Sequence, residues 1–130
     1  MSQVKSCKNS FKAILAIDFD GTICDSEWPE CGPEREMARH FINRLIKEGY
    51  GVVINTCREG TALARAIVWL NNHGINYHYV NCNFPHLIEE YGADCRKISA
   101  DLYIDDKCLT GLPEWNEIYK LIQNKFNDGE

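Results

Sequence analysis

The run Ala16-Ile17-Asp18-Phe19-Asp20-Gly21-Thr22-Ile23 constrains this chain more than any other stretch. An apolar segment beginning near Phe11 stops abruptly on two acids spaced i, i+2, and a Gly and a Thr follow at once. A strand buried on both faces reads as a short continuous apolar run. One that ends on carboxylates with a glycine turn behind them puts negative charge at the carboxyl edge of a sheet, where open α/β sheets bind their ligands. A calcium loop is the other source of Asp-x-Asp-Gly. Such loops keep supplying oxygens over about a dozen residues and close on a Glu, and Ile23, Cys24 and Trp28 do not continue that pattern.

Two further runs repeat the design. Gly51-Val52-Val53-Ile54 ends on Asn55 and Thr56, and Leu102-Tyr103-Ile104 ends on Asp105 and Asp106. If the three strands are parallel, four Asp and a Thr meet in one crevice. One polar strand end is commonplace, but three with this content are not explained as solvated loop starts.

These residues resemble the motifs of the haloacid dehalogenase-like (HAD) superfamily of phosphohydrolases. Asp18-Phe19-Asp20-Gly21-Thr22 matches that family's Asp-x-Asp-x-Thr, and Thr56 matches the Ser or Thr that ends its second strand. Lys97 is the candidate for its lone Lys, and Asp105-Asp106 matches its closing acidic pair. The motifs run in the family's order from Ile17 to Asp106, which is most of the chain.

At 130 residues the chain is expected to form one α/β domain over 11–126, with a mobile arm at 1–10 and a short tail at 127–130. Its net charge of −5 disfavours nucleic acid as a partner, because that affinity comes from clustered Lys and Arg. Lys5, Lys8 and Lys12 are expected only to solvate a loose end. No apolar stretch reaches membrane-span length, and no signal-peptide pattern opens the sequence. The seven cysteines are odd in number and form no Cys-x-x-Cys pair. They read as reduced thiols of a cytoplasmic protein rather than zinc ligands or disulfides.

The pattern alternates strand and helix, so a Rossmann-like parallel sheet flanked by helices is expected. Strands are placed at Lys12–Ile17, Gly51–Asn55, Tyr77–Val80 and Ala100–Ile104. Helices are placed at Pro33–Glu48, Thr61–His73 and Pro113–Phe126. The stretch Cys24–Gly32 reads as a polar loop. Asn81–Gly92 reads as irregular, with a helical turn or two around Leu87–Tyr91. Met37, Ala38, Phe41, Ile42, Leu45 and Ile46 form the apolar face of the first helix. Neither gap between motifs has room for the cap domain that HAD proteins often insert, so the resemblance implies a capless member with an open site.

The resemblance also assigns roles. Asp18 is the nucleophile that forms an aspartyl-phosphate. Asp20 is the general acid and then the base. Magnesium is held by Asp18, the backbone carbonyl of Asp20, and Asp105, with Asp106 assisting. Thr56 donates a hydroxyl to a phosphoryl oxygen, and Lys97, rather than its neighbour Arg96, supplies positive charge. Gly21 is expected to offer a tight turn with free backbone N–H groups near the phosphate. Arg58 is expected as a second-line phosphate or substrate contact. Trp28 is expected either to cover the substrate from the loop or to pack on the first helix. Asn81 to Asn83 are placed at the pocket entrance, and His40, His73, His78 and His86 are structural.

The expected activity is magnesium-dependent hydrolysis of a phosphate monoester, on a small molecule or a macromolecule. A receiver-like phosphate-accepting module also clusters Asp, Thr and Lys at strand ends. Its acidic pair comes first, however, whereas here the Asp-x-Asp leads. A silent HAD-like binding module is the third reading, and silent copies usually lose the first Asp. Homo-oligomerisation stays open.

Overall fold

The computed structural model describes residues 11–93 and 97–126. The expected arm at 1–10, the tail at 127–130, Arg96, Cys7 and Cys95 lie outside the described residues. In chain order the elements are β1 (Ile14–Ile17), β2 (Cys24–Glu27), β3 (Glu30–Glu34), α1 (Ala38–Lys47), β4 (Gly51–Ile54), α2 (Gly60–Asn72), β5 (Tyr79–Val80), α3 (Pro85–Tyr91), β6 (Leu102–Ile104) and α4 (Trp115–Phe126).

Four strands form a parallel sheet in the order β5-β4-β1-β6. The chain winds from β1 out to β5 on one side, then returns to place β6 on the other. The direction of winding therefore reverses between β1 and β6, the kind of point where open α/β sheets form a ligand crevice. Register sharpens this. Ile17 pairs with Ile54 of β4 and with Ile104 of β6, so Asp18, Asn55 and Asp105 follow in one row. Two backbone bonds extend the ladders into that row, Asp18 N–H to the Ile104 carbonyl and Asn55 N–H to the Ile17 carbonyl, both 2.9 Å.

All four residues of β1 and of β4 are buried, as expected for central parallel strands. Leu15, Ile17, Val52, Ile54 and Ile104 face a large core completed by α1, α2 and α4. Ile14, Ala16 and Val53 face the opposite side, covered by Phe84, Ile98 and Phe11. At the β5 edge the His78 ring replaces a backbone partner, its Nδ1 accepting the Val52 N–H at 3.0 Å. Burial holds His78 below the usual histidine range, which keeps that nitrogen an acceptor. The strand expected from Tyr77 therefore begins at Tyr79.

The stretch expected as a polar loop is an antiparallel hairpin. β2 pairs with β3 through Ser26 with Cys31 and Glu27 with Glu30, and a cis Trp28–Pro29 peptide lies at its tip. Gly32 allows the two strands to approach, since a Cβ there would lie 2.1 Å from the Asp25 carbonyl oxygen. Pro33 belongs to β3 rather than to the first turn of a helix, and α1 starts only at Ala38. In a two-stranded ribbon each strand keeps an unpaired side where a missing N–H costs nothing. Met37, expected on the apolar face, is left-handed at φ 69° and exposed. The Glu34 carboxylate instead accepts the Arg39 N–H at 2.8 Å in the first turn of α1. The segment expected to be irregular carries the short helix α3, with Pro85 at its start. α4 begins at Trp115, two residues later than expected.

Candidate active site

The turn after β1 is built around one acceptor. The Phe19 carbonyl takes N–H groups from Thr22, Ile23 and Cys24 at 3.0–3.3 Å, and the Phe19 ring is fully buried. Trp115 braces the turn from α4, its Nε1 donating to the Thr22 carbonyl at 2.9 Å. Gly21 is left-handed at φ 82°, and a Cβ there would fall 2.3 Å from Oδ2 of Asp106. Glycine is thus required twice over, for its conformation and for the carboxylate lying against it. Its N–H is not free for a phosphate as expected, because it donates to the Cys24 carbonyl at 2.7 Å.

Asp18, Asp105 and Asp106 converge. One carboxylate oxygen from each lies within 4.8 Å of the others, and all three residues are half-buried. Burial pushes the Asp18 carboxyl up to about 7, with the Asp105 charge and a hydrogen bond to Asp106 adding to it and the Phe19 backbone N–H opposing. Carboxylates so placed repel one another and are short of positive charge. Three hard oxygen donors with this deficit fit a small divalent cation such as magnesium. The Asp105 side chain is fixed by accepting the Lys107 N–H at 2.9 Å, and the Thr22 hydroxyl lies 3.4 Å from Asp18 Oδ2.

Asp20 faces the other way. Its two oxygens accept Nε and Nη2 of Arg58, both at 2.8 Å, in a bidentate pair. Arg58 is 1% exposed, and its remaining N–H groups reach the carbonyls of Pro29, Glu30 and Ala62 at 2.9–3.0 Å. The guanidinium lies over the rings of Phe19 and Trp28, 5.3 and 4.9 Å from their centroids. Hydrogen bonding to Asp20 raises its pKa further. Arg58 therefore has no donor left for substrate, against the expected phosphate contact. The Asp20 side chain is likewise outside the acidic cluster.

Thr56 lies two residues beyond Ile54 and is held from both sides. Its N–H donates to Oδ1 of Asn81 at 2.8 Å, and its Oγ1 accepts the Arg58 N–H at 3.1 Å. With one lone pair occupied, the hydroxyl proton is free to point at a ligand oxygen. Asn81, placed by sequence only at a pocket entrance, is thus the residue that seats Thr56. Its one legible signal is that Asn tolerates the left-handed φ of 54° found there. Asn83 is buried and accepts the Ser99 N–H at 2.6 Å, tying down the segment that carries Lys97.

Lys97 is exposed. Its ammonium sits over the Tyr103 ring, 5.1 Å from the centroid, and among the described residues it forms no ion pair with Asp18. Trp28 is 62% exposed at the hairpin tip, with its ring on Arg58 rather than on α1. The described cysteines, 24, 31, 57, 82 and 108, are free thiols. Burial pushes the Cys24 thiol up to about 12, which makes it inert packing.

A solved structure of a conserved protein from Bacteroides thetaiotaomicron is 35% identical to this chain. The match covers 87% of this chain and 91% of that one, with a TM-score of 0.79. This chain belongs to that protein's family. No family model matches the sequence, and neither does any curated protein. The relative shares the architecture across nearly its whole length, so the crevice described above is built on a fold common to both.

Proposed function

We propose that this chain is a magnesium-dependent phosphohydrolase that cleaves a phosphate monoester through an aspartyl-phosphate on Asp18. The observation that carries the reading is the convergence of the Asp18, Asp105 and Asp106 carboxylates at the reversal point of a parallel sheet. The ordered likeness of these motifs to the HAD superfamily supports it, as does the fixed hydroxyl of Thr56. Asp18, Asp105 and Asp106 would hold the magnesium, which would supply charge to the phosphoryl oxygens and relieve the repulsion between carboxylates.

The chain's own groups then divide the work. Asp18 Oδ attacks phosphorus in line, the P–O bond to the leaving group breaks, and the leaving oxygen takes a proton from Asp20. In the second half-reaction Asp20 takes a proton from water, which attacks the aspartyl-phosphate and frees Asp18 and phosphate. Thr56 donates its hydroxyl to a phosphoryl oxygen throughout. Both Asp20 oxygens accept from Arg58, so to act as the acid Asp20 must first release at least one Arg58 N–H and take up a proton from solvent on the freed oxygen. The proton it later takes from water restores that state. Lys97 fills the remaining cationic role by leaving the Tyr103 ring when a phosphate binds.

Substrates are phosphorylated small molecules or macromolecules admitted to an open site beside the hairpin. We place the protein in the cytoplasm, on its free thiols; no helix among the described residues is long and apolar enough to cross a membrane. The test is turnover of p-nitrophenyl phosphate by purified protein with magnesium and with excess EDTA. Phosphate release that needs magnesium supports the reading. Stoichiometric phosphorylation without release points to a phosphate-accepting module, and full activity in EDTA contradicts the metal's role.

A further inference from the structure

We infer that Arg58 is a positioning residue that ties the β2–β3 hairpin to Asp20, so that the hairpin and the acid–base carboxylate move as one unit. This role rests on the proposed role of Asp20.

All five N–H groups of Arg58 are used, and they divide between three parts of the molecule. Two go to Asp20 in the turn after β1, and two go to the carbonyls of Pro29 and Glu30 at the hairpin tip. The fifth goes to the Ala62 carbonyl in the first turn of α2. The Trp28 ring closes over the guanidinium from the hairpin side. A planar fork with five fixed donors can do this, whereas an ammonium with three donors and no plane cannot. The hairpin also needs the tie. Asp25 to Glu30 are all exposed, and a two-stranded ribbon is marginal without support. Besides Arg58, the tip has the Arg65–Glu30 ion pair on its exposed outer side.

The consequence is reciprocal. A substrate that draws Asp20 off Arg58 loosens the hairpin tip, and a substrate that shifts the hairpin through Trp28 moves the anchor of Asp20. Arg58 does this without touching substrate, since its side chain is buried.

Two measurements test this on the full chain. The first is amide hydrogen exchange in wild type, Asp20→Asn and Arg58→Lys. Exchange at the hairpin amides from Asp25 to Cys31 should rise by about tenfold or more in both variants, a local opening made easier, while β1 and β4 stay at wild-type rates. The Asp20→Asn variant removes only the charge partner, so it decides the point even if Arg58→Lys does not fold. Wild-type hairpin exchange in Asp20→Asn overturns the tie. The second compares 2,4-dinitrophenyl phosphate with phenyl phosphate, whose leaving group needs a proton far more. Arg58→Lys should slow phenyl phosphate at least about tenfold more than the dinitro ester, because a misplaced Asp20 fails where protonation matters. Equal slowing of both esters makes Arg58 a purely structural residue and overturns the positioning role. Were wild type to hydrolyse neither ester, the phosphatase reading would fall, and the exchange result alone would decide the tie.

Discussion

Asp18 and Asp20 stand two residues apart on the same turn, and their surroundings are opposite. Asp18 faces two more carboxylates within 4.8 Å, and burial and that charge raise it to about 7. Asp20 faces a buried guanidinium that grips both its oxygens at 2.8 Å. One acid lacks positive charge and the other has a cation matched to it. Two like groups given different environments by the fold are a general route to separate chemical roles. Under the proposed function, the deficit at Asp18 is where a divalent cation would be held, while the matched pair fixes the Asp20 side chain.

The sharpest way to break the comparison is to make the two acids amides in turn. Asp18→Asn removes the proposed nucleophile, so phosphate release from p-nitrophenyl phosphate should vanish. Asp20→Asn keeps the nucleophile and should slow turnover by about 10²–10⁴-fold, the usual worth of general acid–base help. Circular dichroism must show both variants folded. Similar residual rates in the two would mean that the environments do not separate their jobs.

Gly21 links the two environments, and Gly21→Ala should damage the deficient one. The added Cβ would fall 2.3 Å from Asp106 Oδ2 at a left-handed φ, displacing that carboxylate. Magnesium affinity by calorimetry should fall at least about tenfold, or about 1.4 kcal/mol. An unchanged affinity would remove Asp106 from the proposed metal set.

The Asp18 deficit also predicts a pH dependence. Its folded pKa of about 7 lies above the ordinary 3.8, so without metal the folded chain binds a proton that the unfolded chain has released. Stability contributed by that proton is full at low pH and is lost as pH rises from about 4 through about 7. Magnesium competes with the proton. Saturating magnesium should therefore raise Tm by about 5 °C near about pH 8, and by much less near about pH 5. Equal stabilisation at both would place the ion elsewhere.

The smallest effect is expected on the matched side. Trp28 is mostly exposed and contributes one ring face to Arg58, a contact worth about 1 kcal/mol or less. Trp28→Ala should therefore speed amide exchange at the hairpin tip by about fivefold or less and leave kcat/KM for an aryl phosphate within about twofold of wild type. A fall in kcat equal to the fall in kcat/KM would instead make the Trp28–Arg58 stack part of transition-state stabilisation.

The deficient side was the legible one. β1, β4 and β6 are short apolar runs that end on polar residues, and parallel register turns those ends into a row. The matched side was not. Asp25, Ser26, Glu27, Pro29 and Pro33 erase any alternation in β2 and β3, because the ribbon meets the core only at its base, through Cys24 and Cys31, and its tip from Asp25 to Glu30 is exposed. Arg58 reads in sequence as a phosphate or substrate contact because its partners, at Asp20, Pro29 and Glu30, lie 28 to 38 residues away and are mostly backbone carbonyls. Side-chain identity carries no trace of a carbonyl acceptor. The same holds for Met37, whose left-handed backbone broke the apolar face that periodicity assigned to α1.

The central claim is that Asp18, and not Asp20, carries the phosphoryl group. Its most direct test is acid quench of Asp20→Asn during turnover of 2,4-dinitrophenyl phosphate with magnesium, followed by peptide mass spectrometry. The activated leaving group lets the first half-reaction proceed while the second stalls, so a phosphoryl adduct should accumulate on Asp18 and be absent from Asp18→Asn. An adduct on another residue, or phosphate release with no adduct at any time point while Asp18→Asn turns over at the same rate, would contradict the account.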